Sequence, residues 1–178
     1  PLWKNGYYLP ECPPHNGVRI ARKLGMISYR SADEWAQRFG RKKSAKTEIT
    51  QNTFGIENTN FEFEIESYLE HLAIKFQDVF DANSYLYLSR AIDWFDLADY
   101  GSSPDKVLGQ SSIDNALVLG VKSDTLFPIS QQKEIVESLS TGSTKVTYKS
   151  LDCIQGHDSF LVDIETFSKE IKCFLENI

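Results

Sequence analysis

Two residues carry the chemistry this sequence offers, Asp124 and His157. Asp124 closes the stretch Val121-Lys122-Ser123-Asp124, directly after the apolar run Ala116-Leu117-Val118-Leu119-Gly120-Val121. His157 stands in Ile154-Gln155-Gly156-His157-Asp158-Ser159-Phe160, after a second stretch of alternating apolar and polar residues. An acid beyond one strand and a histidine beyond the next form a pair suited to proton transfer. The carboxylate fixes the tautomer of the imidazole and stabilises its charged form. The imidazole then takes the proton of a hydroxyl nucleophile. Taken singly, Asp124 also reads as a helix N-cap or loop carboxylate, and His157 as a satisfied loop histidine. The pair says more than either. The other histidines are less suggestive: His71 lies on a long helical stretch and His15 in a proline-rich loop.

The nucleophile itself is not found. A serine on a sharp strand-to-helix turn needs the pattern G-x-S-x-G. Gly101-Ser102-Ser103-Pro104 and Gly142-Ser143 have neither the preceding strand nor the second glycine. The order serine, acid, histidine places the expected nucleophile before residue 1. Metal and phosphate chemistry find little support, since His-x-x-x-His, Cys-x-x-Cys and glycine-rich phosphate loops are all lacking. Cys12, Cys153 and Cys173 are too widely spaced for a zinc site or a disulfide framework, so the expected compartment is reducing: the cytoplasm, or a mitochondrial matrix. A net charge of -6 argues against nucleic acid as a partner, and the basic run Arg38-Phe39-Gly40-Arg41-Lys42-Lys43 reads as a solvated face. Neither a membrane-spanning run nor a signal peptide is apparent.

The elements that must hold this pair follow from periodicity. Residues 1–16 read as a loop, with Pro10, Pro13 and Pro14. From Gly17 the spacing predicts a helix with Ile20, Ala21, Leu24 and Ile27 inward. Ser31 and Glu34 form a capping-box signature for a second helix whose apolar side is Trp35 and Phe39. Residues 40–60 read as a mobile surface loop. Residues 62–80 give the strongest helical repeat, through Ile65, Leu69, Leu72, Ala73, Phe76 and Phe80. Another helix is expected from Ser84 to Ala98, with Tyr85, Leu88, Ala91, Ile92 and Phe95 inward.

After Gly101 the class changes. The apolar run at 116–121 is the mark of a strand in a covered parallel sheet. Pro128 opens a helix containing Ile135, Val136 and Leu139, and Gly142 ends it. Val146 and Tyr148 mark a second strand, and Ile164, Phe167, Ile171, Phe174 and Leu175 a closing amphipathic helix. Strand–helix–strand–helix is a βαβ unit, and ligands of such sheets bind beyond the carboxyl ends of the strands. Two parallel strands make a poor domain by themselves, so further sheet is expected ahead of residue 1.

A set of motifs now bears on the family. Gly17-Val18-Arg19-Ile20-Ala21-Arg22, Ile27-Ser28-Tyr29-Arg30-Ser31, Arg38-Phe39-Gly40-Arg41, Glu66-Ser67-Tyr68-Leu69, Phe80-Asp81-Ala82-Asn83-Ser84-Tyr85, Ser123-Asp124 with Leu126-Phe127-Pro128, and Gly156-His157-Asp158-Ser159-Phe160-Leu161 occur in that order. Together they resemble the C-terminal half of the homoserine/serine O-acyltransferases, which are α/β-hydrolase-type enzymes. The resemblance runs from Trp3 to Leu175.

It implies an α/β fold: the last two parallel strands of an α/β-hydrolase core with their helices, plus a helical lid insertion. Residues 1–16 would enter the lid, 17–100 would form the lid and a dimer face, and 101–178 would complete the core. It implies ping-pong transfer of an acyl group from acyl-CoA (acetyl-CoA or succinyl-CoA) to the hydroxyl of L-serine or L-homoserine, in cysteine or methionine biosynthesis. No cofactor is implied as bound, since acyl-CoA is a co-substrate. Asp124 and His157 match the triad acid and base. Asp158 matches a residue that holds the acceptor's amino group, Arg22 one that holds its carboxylate, and Tyr29 a neighbour in that pocket. An arginine's planar fork suits a carboxylate as a lysine does not. Residues 21–29 and 93–98 lean to the serine branch. Without the serine, the 178 residues alone are expected to be inactive. The alternatives are an esterase or thioesterase of the same superfamily, which needs no clamp for a zwitterion, and a non-catalytic lid or dimerisation module.

Overall fold

The computed structural model describes residues 3–44 and 63–178. The loop read over residues 40–60 lies outside the described residues from 45 onward. The chain forms two compact units. One comprises Pro1–Ile27 and Trp35–Ile92, the other Ser28–Glu34 and Asp93–Ile178.

The first unit is helical. Helix α1 (His15–Tyr29) begins in it, α2 (Ala32–Arg38) ends in it, and α3 (Glu64–Gln77) and α4 (Ala82–Asp93) complete it. A short 3₁₀ turn at Lys4–Gly6 precedes α1 in the stretch read as a loop. Here the structure departs from the expected apolar faces. Val18 and Met26 are the buried residues of α1, whereas Ile20 and Leu24 are both 67% exposed. The reason is the way α1 meets α3. Lys23 pairs with Glu70, Arg19 bonds Gln77, and the Arg22 guanidinium stands 4.8 Å over the Phe76 ring. The polar side of α1 faces α3, and the apolar stripe is left outward. Likewise α4 keeps Tyr85 against Phe76 and Phe80, while Leu88, Ile92 and Phe95 are exposed. Helix α4 also stops at Asp93 rather than running to Ala98. The Asp96 carboxylate accepts from Ala98 N–H at 2.8 Å and starts a separate 3₁₀ turn, Leu97–Tyr100. Short acidic side chains compete for backbone donors in this way.

The second unit carries the sheet. Strands β1 (Asn115–Val121) and β2 (Lys145–Leu151) pair in parallel, with Asn115 opposite Lys145 and Val121 opposite Leu151. A parallel pair needs a crossover, and α6 (Ile129–Ser140) supplies it. Helix α6 lies close on β1: a Cβ at Gly120 would stand 2.8 Å from Ile129 Cδ1. Pro128 stands at the start of α6 as expected. A short helix α5 (Pro104–Gly109) fills the stretch read only as a break. Beyond β2 come a 3₁₀ turn at Gly156–Asp158, helix α7 (Ser159–Val162) and helix α8 (Ile164–Leu175). Val121, Leu151 and Cys153 form the buried cluster at the carboxyl end of the strands, with Leu119 and Phe167 packed on it. The best-packed part of the sheet is therefore the end from which the acid and histidine loops leave. Ile164, Ile171 and Leu175 of α8 are exposed, and Phe167 and Phe174 are its half-buried aromatic side chains.

Candidate active site

The loop after β1 is built around one carboxylate. Asp124 N–H donates to Val121 O at 3.1 Å, which turns the chain at the strand end. Asp124 Oδ1 then accepts from the backbone N–H groups of Leu126 and Phe127, at 2.8 and 2.9 Å. Its other oxygen, Oδ2, lies 3.0 Å from His157 Nδ1. An ionised carboxylate only accepts, so Nδ1 donates and the lone pair sits on Nε2. The Asp124 side chain is 10% exposed and that of His157 23%. The acid is thus sheltered while the imidazole keeps an open edge.

The histidine loop is fixed by contacts other than the acid. Ser123 Oγ donates to Cys153 O at 2.6 Å and accepts from Gly156 N–H at 3.1 Å, tying the acid loop to the histidine loop. Gly156 is buried with φ +69°, and a Cβ there would meet Tyr29 O at 2.7 Å and Ser31 N at 2.8 Å. Only a glycine lets the α1–α2 turn approach so closely. Ser31 Oγ donates to Ile154 O in the same region. Three rings surround the imidazole: Phe127 at 5.0 Å, Tyr29 at 5.6 Å and Phe160 at 6.0 Å between centroids.

Of the residues singled out from the sequence, Asp124, His157, Asp158 and Tyr29 come together in the second unit. Asp158 is the N-cap residue of α7, yet its side chain makes no cap bond. Its Oδ2 instead lies 2.9 Å from Arg30 Nε. Arg22 belongs to the first unit, where its Nε is buried without a hydrogen-bond partner. The capping box read at Ser31 is half made. Glu34 N–H donates to Ser31 Oγ at 3.1 Å, but the Glu34 carboxylate turns to Arg30 rather than back to Ser31. A guanidinium four residues back is the stronger partner for a carboxylate.

No family model matches the chain. Curated relatives do. A serine O-succinyltransferase of Xylella fastidiosa strain M23 is 47% identical over 180 residues, covering 100% of this chain and 47% of that protein. One from Stenotrophomonas maltophilia is 43% identical over 178 residues, covering 99% of this chain and 46% of that protein. The whole chain is thus similar to one part of these serine O-succinyltransferases. It spans about half the length of the curated relatives it matches. Among solved structures, homoserine O-acetyltransferase from Bacillus anthracis superposes with a TM-score of 0.77 at 23% identity, covering 97% of this chain and 44% of that one. Esterase E22 superposes with a TM-score of 0.76 at 20% identity, covering 98% and 46%. These likenesses give the fold, which is of the α/β-hydrolase type.

Several residues at the site escaped sequence reasoning. Phe127, Phe160, Arg30, Ser31 and Ser123 all stood inside the quoted motifs, but nothing in one sequence separates a ring that packs on a histidine from one in the core. Ser123 had a signal of a kind: a hydroxyl directly before the acid is well placed to bridge to the neighbouring loop.

Proposed function

We propose that this chain supplies the acid and the base of a Ser-His-Asp acyltransferase that moves a succinyl group from succinyl-CoA to the hydroxyl of L-serine. The observation that carries the reading is the 3.0 Å contact between His157 Nδ1 and Asp124 Oδ2, with Asp124 held by two backbone donors. The names of the relatives support the choice of acceptor and acyl group. In this reading the nucleophile is a serine outside these 178 residues. His157 Nε2 takes its proton as the serine oxygen attacks the thioester carbonyl, and returns it to the departing CoA thiolate. It then takes the proton of the L-serine hydroxyl, which attacks the acyl-enzyme and restores the nucleophile.

Asp158 is assigned to the acceptor's ammonium group. Arg22, whose Nε is buried without a hydrogen-bond partner, is assigned to a carboxylate. Tyr29, Phe127 and Phe160 would keep water from the imidazole.

The test is CoA release by the full-length protein, with succinyl-CoA or acetyl-CoA and with L-serine or L-homoserine. Release that requires L-serine and succinyl-CoA, and that is lost in His157→Ala, supports the reading. Release indifferent to the amino acid means that water is the acceptor, and an esterase or thioesterase replaces the transferase.

A further inference from the structure

Arg30 lies between α1 and α2, one residue beyond the tyrosine that packs on His157. Its guanidinium is shared. Nε reaches Asp158 Oδ2 at 2.9 Å, and Nη1 pairs with Glu34 Oε1. All three side chains are largely covered, with exposures of 18% for Arg30, 21% for Asp158 and 12% for Glu34. One guanidinium between two carboxylates leaves the group with a net negative charge. Glu34 Oε2 is buried with no hydrogen-bond partner. The fork of an arginine can hold two carboxylates at fixed angles, which a single ammonium cannot do.

We propose that Arg30 is a positioning residue for the acceptor amino acid: it fixes the Asp158 carboxylate so that one oxygen is held and the other is presented to the substrate's ammonium group. This rests on the transferase reading and on Asp158 as the ammonium site. The geometry separates this task from that of the acid–base pair. His157 is oriented by Asp124, and its loop is held at Gly156 N–H by Ser123 Oγ and at Ile154 O by Ser31 Oγ. None of these bonds passes through the Arg30 side chain. Arg30 holds only the next carboxylate along. Its residual partner, Glu34, sits at the start of α2 and anchors the guanidinium from the other side. Loss of Arg30 therefore affects recognition of the acceptor and leaves the acylation step in place.

A ping-pong enzyme allows the two to be measured apart. Full-length wild type, R30Q and R30K are mixed with succinyl-CoA alone, and the burst of CoA is followed. Turnover is then measured with L-serine and with 3-hydroxypropanoate, which is serine without its amino group. The expected result is an unchanged burst rate, with KM for L-serine raised about tenfold to a hundredfold in R30Q, the range for loss of a group that orients a ligand-binding side chain. R30K recovers part of this loss. For 3-hydroxypropanoate the difference between wild type and R30Q disappears, because there is no ammonium to place. A burst that falls together with turnover, or an equal loss with both acceptors, overturns the assignment and leaves Arg30 a structural residue. A wild-type enzyme that releases no CoA overturns the transferase reading as well.

Discussion

The Asp124 carboxylate is divided between two duties: Oδ2 holds His157 Nδ1 at 3.0 Å, and Oδ1 takes two backbone N–H groups of its own loop at 2.8 and 2.9 Å. An amide cannot do both. In Asp124→Asn one end carries hydrogens, so either the loop donors or the ring N–H meets a donor instead of an acceptor. The imidazole then adopts the tautomer with its proton on Nε2, where a base needs a lone pair. The expected result in the full-length enzyme is a fall in kcat of about a thousandfold to ten thousandfold with KM little changed. Steady-state kinetics of the folded variant check it. A loss of less than tenfold would remove Asp124 from the triad.

Gly156 sets the approach of the histidine loop to the α1–α2 turn. Alanine there meets Tyr29 O at 2.7 Å and Ser31 N at 2.8 Å, at a φ of +69° that side chains disfavour. Backbone atoms on both sides cannot swing away as a side chain tip can. Gly156→Ala is expected to destabilise the fold by about 1–3 kcal/mol and to shift His157 away from its acid. Urea unfolding gives the first effect and the burst of CoA the second. Unchanged stability would mean that the turn relaxes freely.

Cys153 is the buried one of the three thiols. Burial, and then its hydrogen bond to the Asp163 carboxylate, push its pKa up to about 11. At neutral pH roughly one Cys153 thiol in ten thousand is then ionised, and only the thiolate attacks a labelling reagent. Cys12 and Cys173 are exposed. Alkylation of the folded protein at neutral pH, read by peptide mass, is expected to mark Cys12 and Cys173 and to spare Cys153 until denaturant is added. Early marking of Cys153 would show that the cluster with Val121 and Leu151 opens readily.

The βαβ unit and the two loops of the candidate site were legible because each signal was local: a continuous apolar run for β1, proline at the start of α6, and an acid and a histidine just past successive strands. The inward faces of the helices were not. Periodicity finds the apolar stripe of α1, Ile20, Leu24 and Ile27, but which side is covered depends on what packs there, and Glu70 and Gln77 of α3 draw the opposite side inward. Arg30 was missed for a similar reason. An arginine near Glu34 reads as a helix-surface pair, and its second partner, Asp158, is brought to it only by the fold.

The start of α8 gives a pH-dependent prediction. Asp163 caps the helix, its Oδ1 accepting from Thr166 N–H at 3.2 Å. The Thr166 hydroxyl, then the Thr166 N–H, then the Cys153 thiol hold the Asp163 carboxyl below its ordinary value of 3.8. A carboxyl whose folded pKa is lowered adds stability above its unfolded value, and that contribution is lost as pH falls through the folded value. The native protein is therefore expected to exceed Asp163→Ala in its urea midpoint at neutral pH, and the gap should narrow in acid below the ordinary carboxylate range. Asp163→Asn keeps a capping oxygen without a titrating charge, so its midpoint should lie between the two at neutral pH and approach that of the native protein in acid. A gap between native and alanine forms that stays constant with pH would assign the cap to the neutral oxygen alone, with no part for the charge.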